Sequence, residues 1–236
     1  MICFGIVLVY FVLAGMIFLN DLFGWDLKAF QWNKIVGPSY KAPLESYEWT
    51  PEGQTEVETG KPLFGTDFLG QSTLRKTIYG ATTSITVALC ASFISLLIGV
   101  PLGAIAGYFR GWVDDVLSRL ADIILSFPVL VLYIIIIATI GASGINIIIA
   151  ITFASSPGIM RIVRGLVLDL RNRDYVAAAQ TRGESDWKVM LAEILPNARG
   201  PLIVDACLRL GYVIITIGVL GFLGLGLPPP DPDWGG

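Results

Sequence analysis

Residues 123–160 read IILSFPVLVLYIIIIATIGASGINIIIAITFASSPGIM, 38 residues without a charged side chain. As one α-helix at about 1.5 Å per residue the stretch would run to roughly 57 Å, nearly twice the ~30 Å hydrocarbon core of a bilayer. It therefore has to turn. The cluster of turn formers near its centre is Gly141-Ala142-Ser143-Gly144-Ile145-Asn146, so the sequence predicts spans Ile123–Ile140 and Ile145–Ile162 joined by a tight hairpin. Working outward, Ile2–Leu19, Ile85–Phe109 and Leu210–Leu227 are also long and uncharged, which gives five candidate spans. The 236-residue chain agrees in bulk: it is 54% apolar and 15% charged, with a mean hydropathy of +0.71. The fold class is an all-α, polytopic helical membrane bundle.

Composition excludes much chemistry. With no histidine, Ser-His-Asp, Cys-His and His-metal arrangements are out of reach. A net charge of −3 offers no basic excess for nucleic acid. Cys3, Cys90 and Cys207 lie in or beside apolar runs and read as small hydrophobes rather than a disulfide framework or a zinc site. No Gly-x-x-x-x-Gly-Lys-Ser/Thr loop occurs, so this chain does not cradle nucleotide phosphates in that manner, and no cofactor is expected on it.

Orientation follows the basic residues. Arg164, Arg171, Arg173, Arg182, Lys188 and Arg199 crowd the connection after the fourth span, with Arg161 at its mouth, so that side is cytoplasmic. The N-terminus is then inside as a retained anchor over 1–19, since no basic residue precedes the first span and no cleavage site closes it. Residues 20–83, with six basic and eight acidic side chains, are extracytoplasmic, the Arg110–Asp122 loop is inside, and 84–236 form the membrane core. Five spans leave the C-terminus outside, and the sequence reads as lacking a sixth that would return it.

Ala91, Ser95, Gly99, Gly103 and Gly107 recur every fourth residue, the spacing that lets a second helix approach backbone to backbone. Pro101, Pro128 and the Ser155-Ser156-Pro157-Gly158 run are expected to interrupt their helices, and kinked helices imply a bundle with a polar interior. Asp205 and Arg209, four apart, can pair on one helix face, either snorkelling at the interface or lining a pathway.

The cytoplasmic connection, 163–200, is the most informative. Val163, Leu166, Val167 and Leu170 continue a helical apolar stripe. Asp174 can cap a short helix through Gln180, which Arg182-Gly183 ends because glycine accepts the left-handed conformation. Ser185 or Asp186 caps a second helix with Trp187, Met190, Leu191 and Ile194 on one face, and Pro196 is expected to stop it. Two amphipathic helices around a glycine elbow fit the docking surface of a soluble partner; a single one would be read as resting in the lipid interface.

The segment YVAAAQTRG over 175–183, with Pro196 thirteen residues further on in Ile194-Leu195-Pro196-Asn197, resembles the EAA loop of ABC importer permeases. Within this segment, which opens at Tyr175, the match runs through Ala178, Ala179, Gly183, Leu195 and Pro196, while Ala177 stands where that motif has Glu. FGTDFLG at 64–70, IYGA at 78–81, GVPLG at 99–103, GYFRGWVD at 107–114, FLGLG at 222–226 and Asp233-Trp234-Gly235 resemble the dipeptide/oligopeptide/nickel branch, in particular the second permease of its pair. Gln71-Ser72 replaces that branch's Arg-Asp, and Asp205 and Arg209 are charged where it is commonly uncharged. The resemblance implies the type I importer transmembrane fold with six spans and a homologous permease as second half. It also implies cytoplasmic ATP-binding subunits carrying ATP and Mg, and an extracytoplasmic solute-binding protein delivering a peptide, a nickel chelate or an oligosaccharide. Competing readings are a non-transporting scaffold, a secondary transporter or channel, and intramembrane hydrolysis; the absence of inverted repeats, of charges deep in the spans and of paired acidic residues argues against the last two.

Overall fold

The computed structural model describes residues 36–49, 58–60, 62–67, 69–228 and 232–235, with 12, 15–17 and 19. The expected first span over 2–19 lies largely outside the described residues. The elements are β1 (Tyr47–Trp49), β2 (Glu58–Gly60), α1 (Thr73–Phe109), α2 (Trp112–Leu125), α3 (Val129–Ile140), α4 (Gly144–Leu170), α5 (Asp174–Thr181), α6 (Asp186–Lys188) and α7 (Leu195–Phe222). Between α6 and α7, Val189–Ile194 is π-helical, and the three run on as one 37-residue helix from Asp186. Among the described residues, three helices are each long and apolar enough to cross a membrane, Thr73–Phe109, Gly144–Leu170 and Asp186–Phe222, and α2 with α3 makes a fourth if that bent pair is one span.

Two compact units emerge, residues 1–86 with 217–236 and residues 87–216. In the first, β1 and β2 pair antiparallel with Tyr47 opposite Gly60. Asp67 Oδ1 accepts from the Leu69 and Gln71 amides at 2.9 and 2.8 Å, and its Oδ2 takes the Lys76 ammonium at 2.7 Å. The Asp233-Trp234-Gly235 segment lies in a glycine-lined notch: Trp234 Nε1 donates to the Thr77 carbonyl at 3.0 Å, and a Cβ on Gly221 would stand 2.7 Å from Gly235 Cα.

The second unit is built on a close crossing of α1 and α4. A Cβ on Gly99, Gly103 or Gly107 would stand 2.6, 2.5 and 2.8 Å from Ile159 Cβ, the Met160 carbonyl oxygen and the Arg164 carbonyl oxygen respectively. Ser95, next in the stripe, is buried and donates to the Ala91 carbonyl at 2.7 Å. Only hydrogen at the three glycines lets the α4 backbone come this near.

The expected third span, Ile123–Ile140, is not one straight helix but part of a bent pair, α2 and α3, that is apolar enough to cross only when the two are taken together. Its first three residues end the amphipathic α2, and α3 leaves at 84° across Ser126-Phe127-Pro128. Pro128 disfavours helical backbone at Phe127, and the Ser126 hydroxyl caps the Ile123 carbonyl at 2.7 Å. The 12 residues of α3 alone reach about 18 Å, short of the bilayer core, so a crossing here needs α2 and α3 together. The region read as the Arg110–Asp122 loop is α2 itself, held to α4 by its charges. Asp114 accepts two bonds from Arg164, one of them Nη2 to Oδ2 at 2.6 Å, and Asp122 pairs with Arg161. Pro101 and Pro157 do not interrupt their helices, which continue through both; at the second, the Ser156 hydroxyl back-bonds to the Thr152 carbonyl. The hairpin is present: α3 stops before Gly141, whose φ is +90°, and Ser143 caps α4 by accepting from the Asn146 amide at 3.2 Å.

Candidate functional site: the glycine elbow

The elbow forms because α5 ends in a Schellman turn. The Glu184 amide donates to the Ala179 carbonyl at 3.3 Å and the Gly183 amide to the Gln180 carbonyl at 2.9 Å. Gly183 has a φ of +75°, and nothing lies within 4 Å of where its Cβ would be, so backbone conformation rather than space requires glycine here. Two sequence expectations shift. Arg173, not Asp174, is the residue preceding α5, and Asp174 sits in the first turn, where a carboxylate favours the helix dipole. Ser185 precedes α6 without a side-chain cap, and Asp186 is turned to another partner.

That partner is the end of α1. Tyr108 Oη donates to Asp186 Oδ1 at 2.7 Å, Arg171 stacks 5.2 Å above the Tyr108 ring and bonds its carbonyl, and the Phe109 ring lies 5.4 Å from Trp187. Arg182 forks onto Glu184 at 3.0 and 3.1 Å and reaches Glu193 at 3.6 Å. Sequence separation hid the ties to α1, since 78 residues part Tyr108 from Asp186.

Pro196 does not stop the second elbow helix. Proline cannot donate to the carbonyl four residues back and its ring crowds it; the widened π-turn before it, with the Leu195 amide bonded to the Met190 carbonyl, absorbs that and lets the helix run on. The same turn rephases the apolar stripe. Met190 and Ile194 are buried, whereas Trp187 and Leu191 are 54% and 56% exposed.

One core unites the elbow with the bundle. Val176 and Ala179 of α5, with Val189, Met190 and Ile194, pack against Ala104 and Tyr108 of α1 and Ile159, Val163 and Val167 of α4, with Tyr175 and Leu195 at its edge. Burial pushes the Tyr175 phenol up, so the ring stays neutral against this core. Ala177, Ala178, Gly183, Trp187, Leu191 and Pro196 remain on the outside. The arrangement can therefore carry a push applied at the exposed face into α1 and α4.

Residues 99–236 match the family described as binding-protein-dependent transport system inner membrane component, and the chain belongs to that family. It is a multi-pass protein of the cell membrane. The chain is 39% identical over 198 residues to the dipeptide transport system permease protein DppC of Alkalihalophilus pseudofirmus, covering 82% of this chain and 65% of that one. It is 40% identical over 186 residues to the di/tripeptide permease DppC of Pseudomonas aeruginosa, covering 79% and 61%. Against the glutathione permease GsiD of Pectobacterium atrosepticum the identity is 34%, covering 86% and 66%. The chain thus spans a little under two thirds of the length of these relatives. An inward-facing structure of the MetNI methionine ABC transporter matches with a TM-score of 0.59 at 18% identity, over 65% of this chain and 77% of that one, which shows the type I importer fold.

Proposed function

We propose that this chain forms half of the translocation pathway of an ATP-driven importer of di- or oligopeptides. In this reading the Asp174–Asn197 elbow is gripped on the cytoplasmic side by a separate ATP-hydrolysing subunit. A homologous permease supplies the other half and a solute-binding protein delivers cargo from outside, while ATP and Mg stay on the hydrolysing subunit. The observation that carries the reading is the single core shared by the elbow, α1 and α4, because a motor acting on the elbow then moves two spanning helices as one body. The peptide permeases among the relatives support the cargo class, and the exposed Ala177, Ala178, Trp187 and Leu191 offer the motor an apolar face bounded by the Arg182–Glu184 pair.

Reconstitution of the complete assembly in proteoliposomes tests this. Labelled dialanine should accumulate only when ATP is present on the elbow side and the binding protein on the other. Accumulation of a nickel chelate or an oligosaccharide in place of peptide would redirect the cargo, and ATP-independent uptake would remove the motor.

A further inference from the structure

The end of α7 is tied back to the start of α1 by the chain that follows it. α7 finishes in a second Schellman turn: Gly224 has a φ of +73°, its amide donates to the Gly221 carbonyl at 2.9 Å, and the Leu225 amide donates to the Leu220 carbonyl at 2.9 Å. Further on, the Asp233 carboxylate closes the chain on itself. Its Oδ2 accepts from the Leu227 amide at 3.2 Å and its Oδ1 from the Gly235 amide at 2.8 Å. Trp234 Nε1 then reaches across to α1 and donates to the Thr77 carbonyl at 3.0 Å.

Glycines on both helices take this stretch in. A Cβ on Gly80 of α1 would stand 3.2 Å from the Asp233 carbonyl carbon and oxygen, and one on Gly221 of α7 would stand 2.7 Å from both Asp233 Oδ1 and Gly235 Cα. Within the stretch, a Cβ on Gly226 would collide with Asp233 Oδ2 and one on Gly235 with the Gly218 carbonyl oxygen. The contacts to α1 and α7 are therefore made at backbone level, where only hydrogen leaves room. Flexible side chains can slide past one another by changing rotamer. Backbone seated in such a notch has two arrangements, in or out, because packed interfaces are bistable rather than continuously deformable. Coming out would break the Trp234 bond and open the notch on both helices at once. The start of α1 is held from its other side too, by Lys76 on Asp67 at 2.7 Å and by the Thr73 amide on the Gly65 carbonyl at 3.3 Å.

We infer that residues 232–235 are a strut that keeps the start of α1 and the end of α7 together as one body through the whole transport cycle. The inference rests on the import reading above, which puts this end of both helices outside the cell. It adds that the outer mouth of the pathway opens along the other edges of these two helices and never between them. Asp233 is the positioning residue, since its two amide bonds fold the strut into the shape that the notch accepts. Trp234 is the pin that fastens the strut to α1.

Amide hydrogen exchange over residues 223–235, measured in the complete assembly, tests this. The stretch should exchange at the same rate, within about twofold, at rest and with nucleotide trapped in the hydrolysing subunit. Exchange about tenfold faster in the trapped state would mean that the stretch leaves its notch during the cycle, and would overturn the strut. Two alanine variants of α7 supply the second arm. Gly221→Ala puts a methyl 2.7 Å from Gly235 Cα; it should speed exchange about tenfold and cut dialanine uptake by a similar factor. Gly218→Ala, three residues earlier, meets nothing within 4 Å and should change neither. Unaltered exchange in Gly221→Ala, or full uptake in spite of faster exchange, would overturn the inference. In an assembly that accumulates no dialanine at all, the exchange results still decide the strut, and import alone would fail.

Discussion

Replacing Gly183 with valine should disconnect ATP hydrolysis from uptake while the membrane bundle stays folded. The residue has a φ of +75°, where a side chain with a Cβ is strained by about 1–2 kcal/mol and a β-branched one most of all. That energy is enough to shift the population of the bent form by roughly 5- to 30-fold. The Schellman bonds from Gly183 and Glu184 would weaken, and the exposed Ala177–Ala178 face would lose its fixed angle to Trp187 and Leu191. Uptake should fall by about an order of magnitude, with the hydrolysis that remains no longer stimulated by loaded binding protein. Gly183→Asn separates geometry from chemistry, because asparagine tolerates the left-handed region and there is open space for it. It should restore most of the coupling. Equal loss in both variants, measured as transport per ATP hydrolysed in proteoliposomes, would show that something other than backbone conformation is needed at this position.

The largest stability effect is expected on α1. Gly103→Ala adds one methyl, which would stand 2.5 Å from the Met160 carbonyl oxygen and 2.7 Å from Val163 Cβ. Neither belongs to a flexible side-chain end, so α1 and α4 must separate, and the contacts at Gly99 and Gly107 loosen with them. The cost should be about 1–3 kcal/mol, the usual range for overpacking. Gly165→Ala on α4 is the control with the opposite sign. Nothing lies within 4 Å of its Cβ position, so helix propensity alone acts and should stabilise by up to about 1 kcal/mol. Thermal unfolding of the detergent-purified assembly should therefore move down for the first variant and up for the second. Two shifts of the same sign would contradict the packing described for this crossing.

The reversal at Gly141–Gly144 was legible because an uncharged run too long for the bilayer has to turn where glycines and a serine cap cluster. The four-residue stripe on α1 was equally plain, since close helix approach leaves a mark in residue size. The elbow could be read from a glycine after a short helix, a local signal. What escaped depended on partners distant in sequence or on strain relieved elsewhere. Nothing near Asp114 announces Arg164, 50 residues on, and that pair helps turn an apparent loop into the helix α2. Counting uncharged residues also merged the end of α2 with α3, because hydropathy does not register the backbone restriction that Pro128 places on Phe127. At Pro196 local rules call for a stop, and the π-turn over Val189–Ile194 overrides them by widening the helix where proline would clash. The same turn exposes Trp187 and Leu191, which a regular helical period would have buried with Met190 and Ile194.

If a separate nucleotide-driven subunit grips the glycine elbow, a photo-crosslinking amino acid placed at the exposed Leu191 in the purified, complete assembly will capture it. The expected product is a single adduct to the ATP-hydrolysing subunit, lost or shifted when nucleotide is trapped. Adducts to lipid alone, from an assembly that contains that subunit, would show that the elbow is not its docking point.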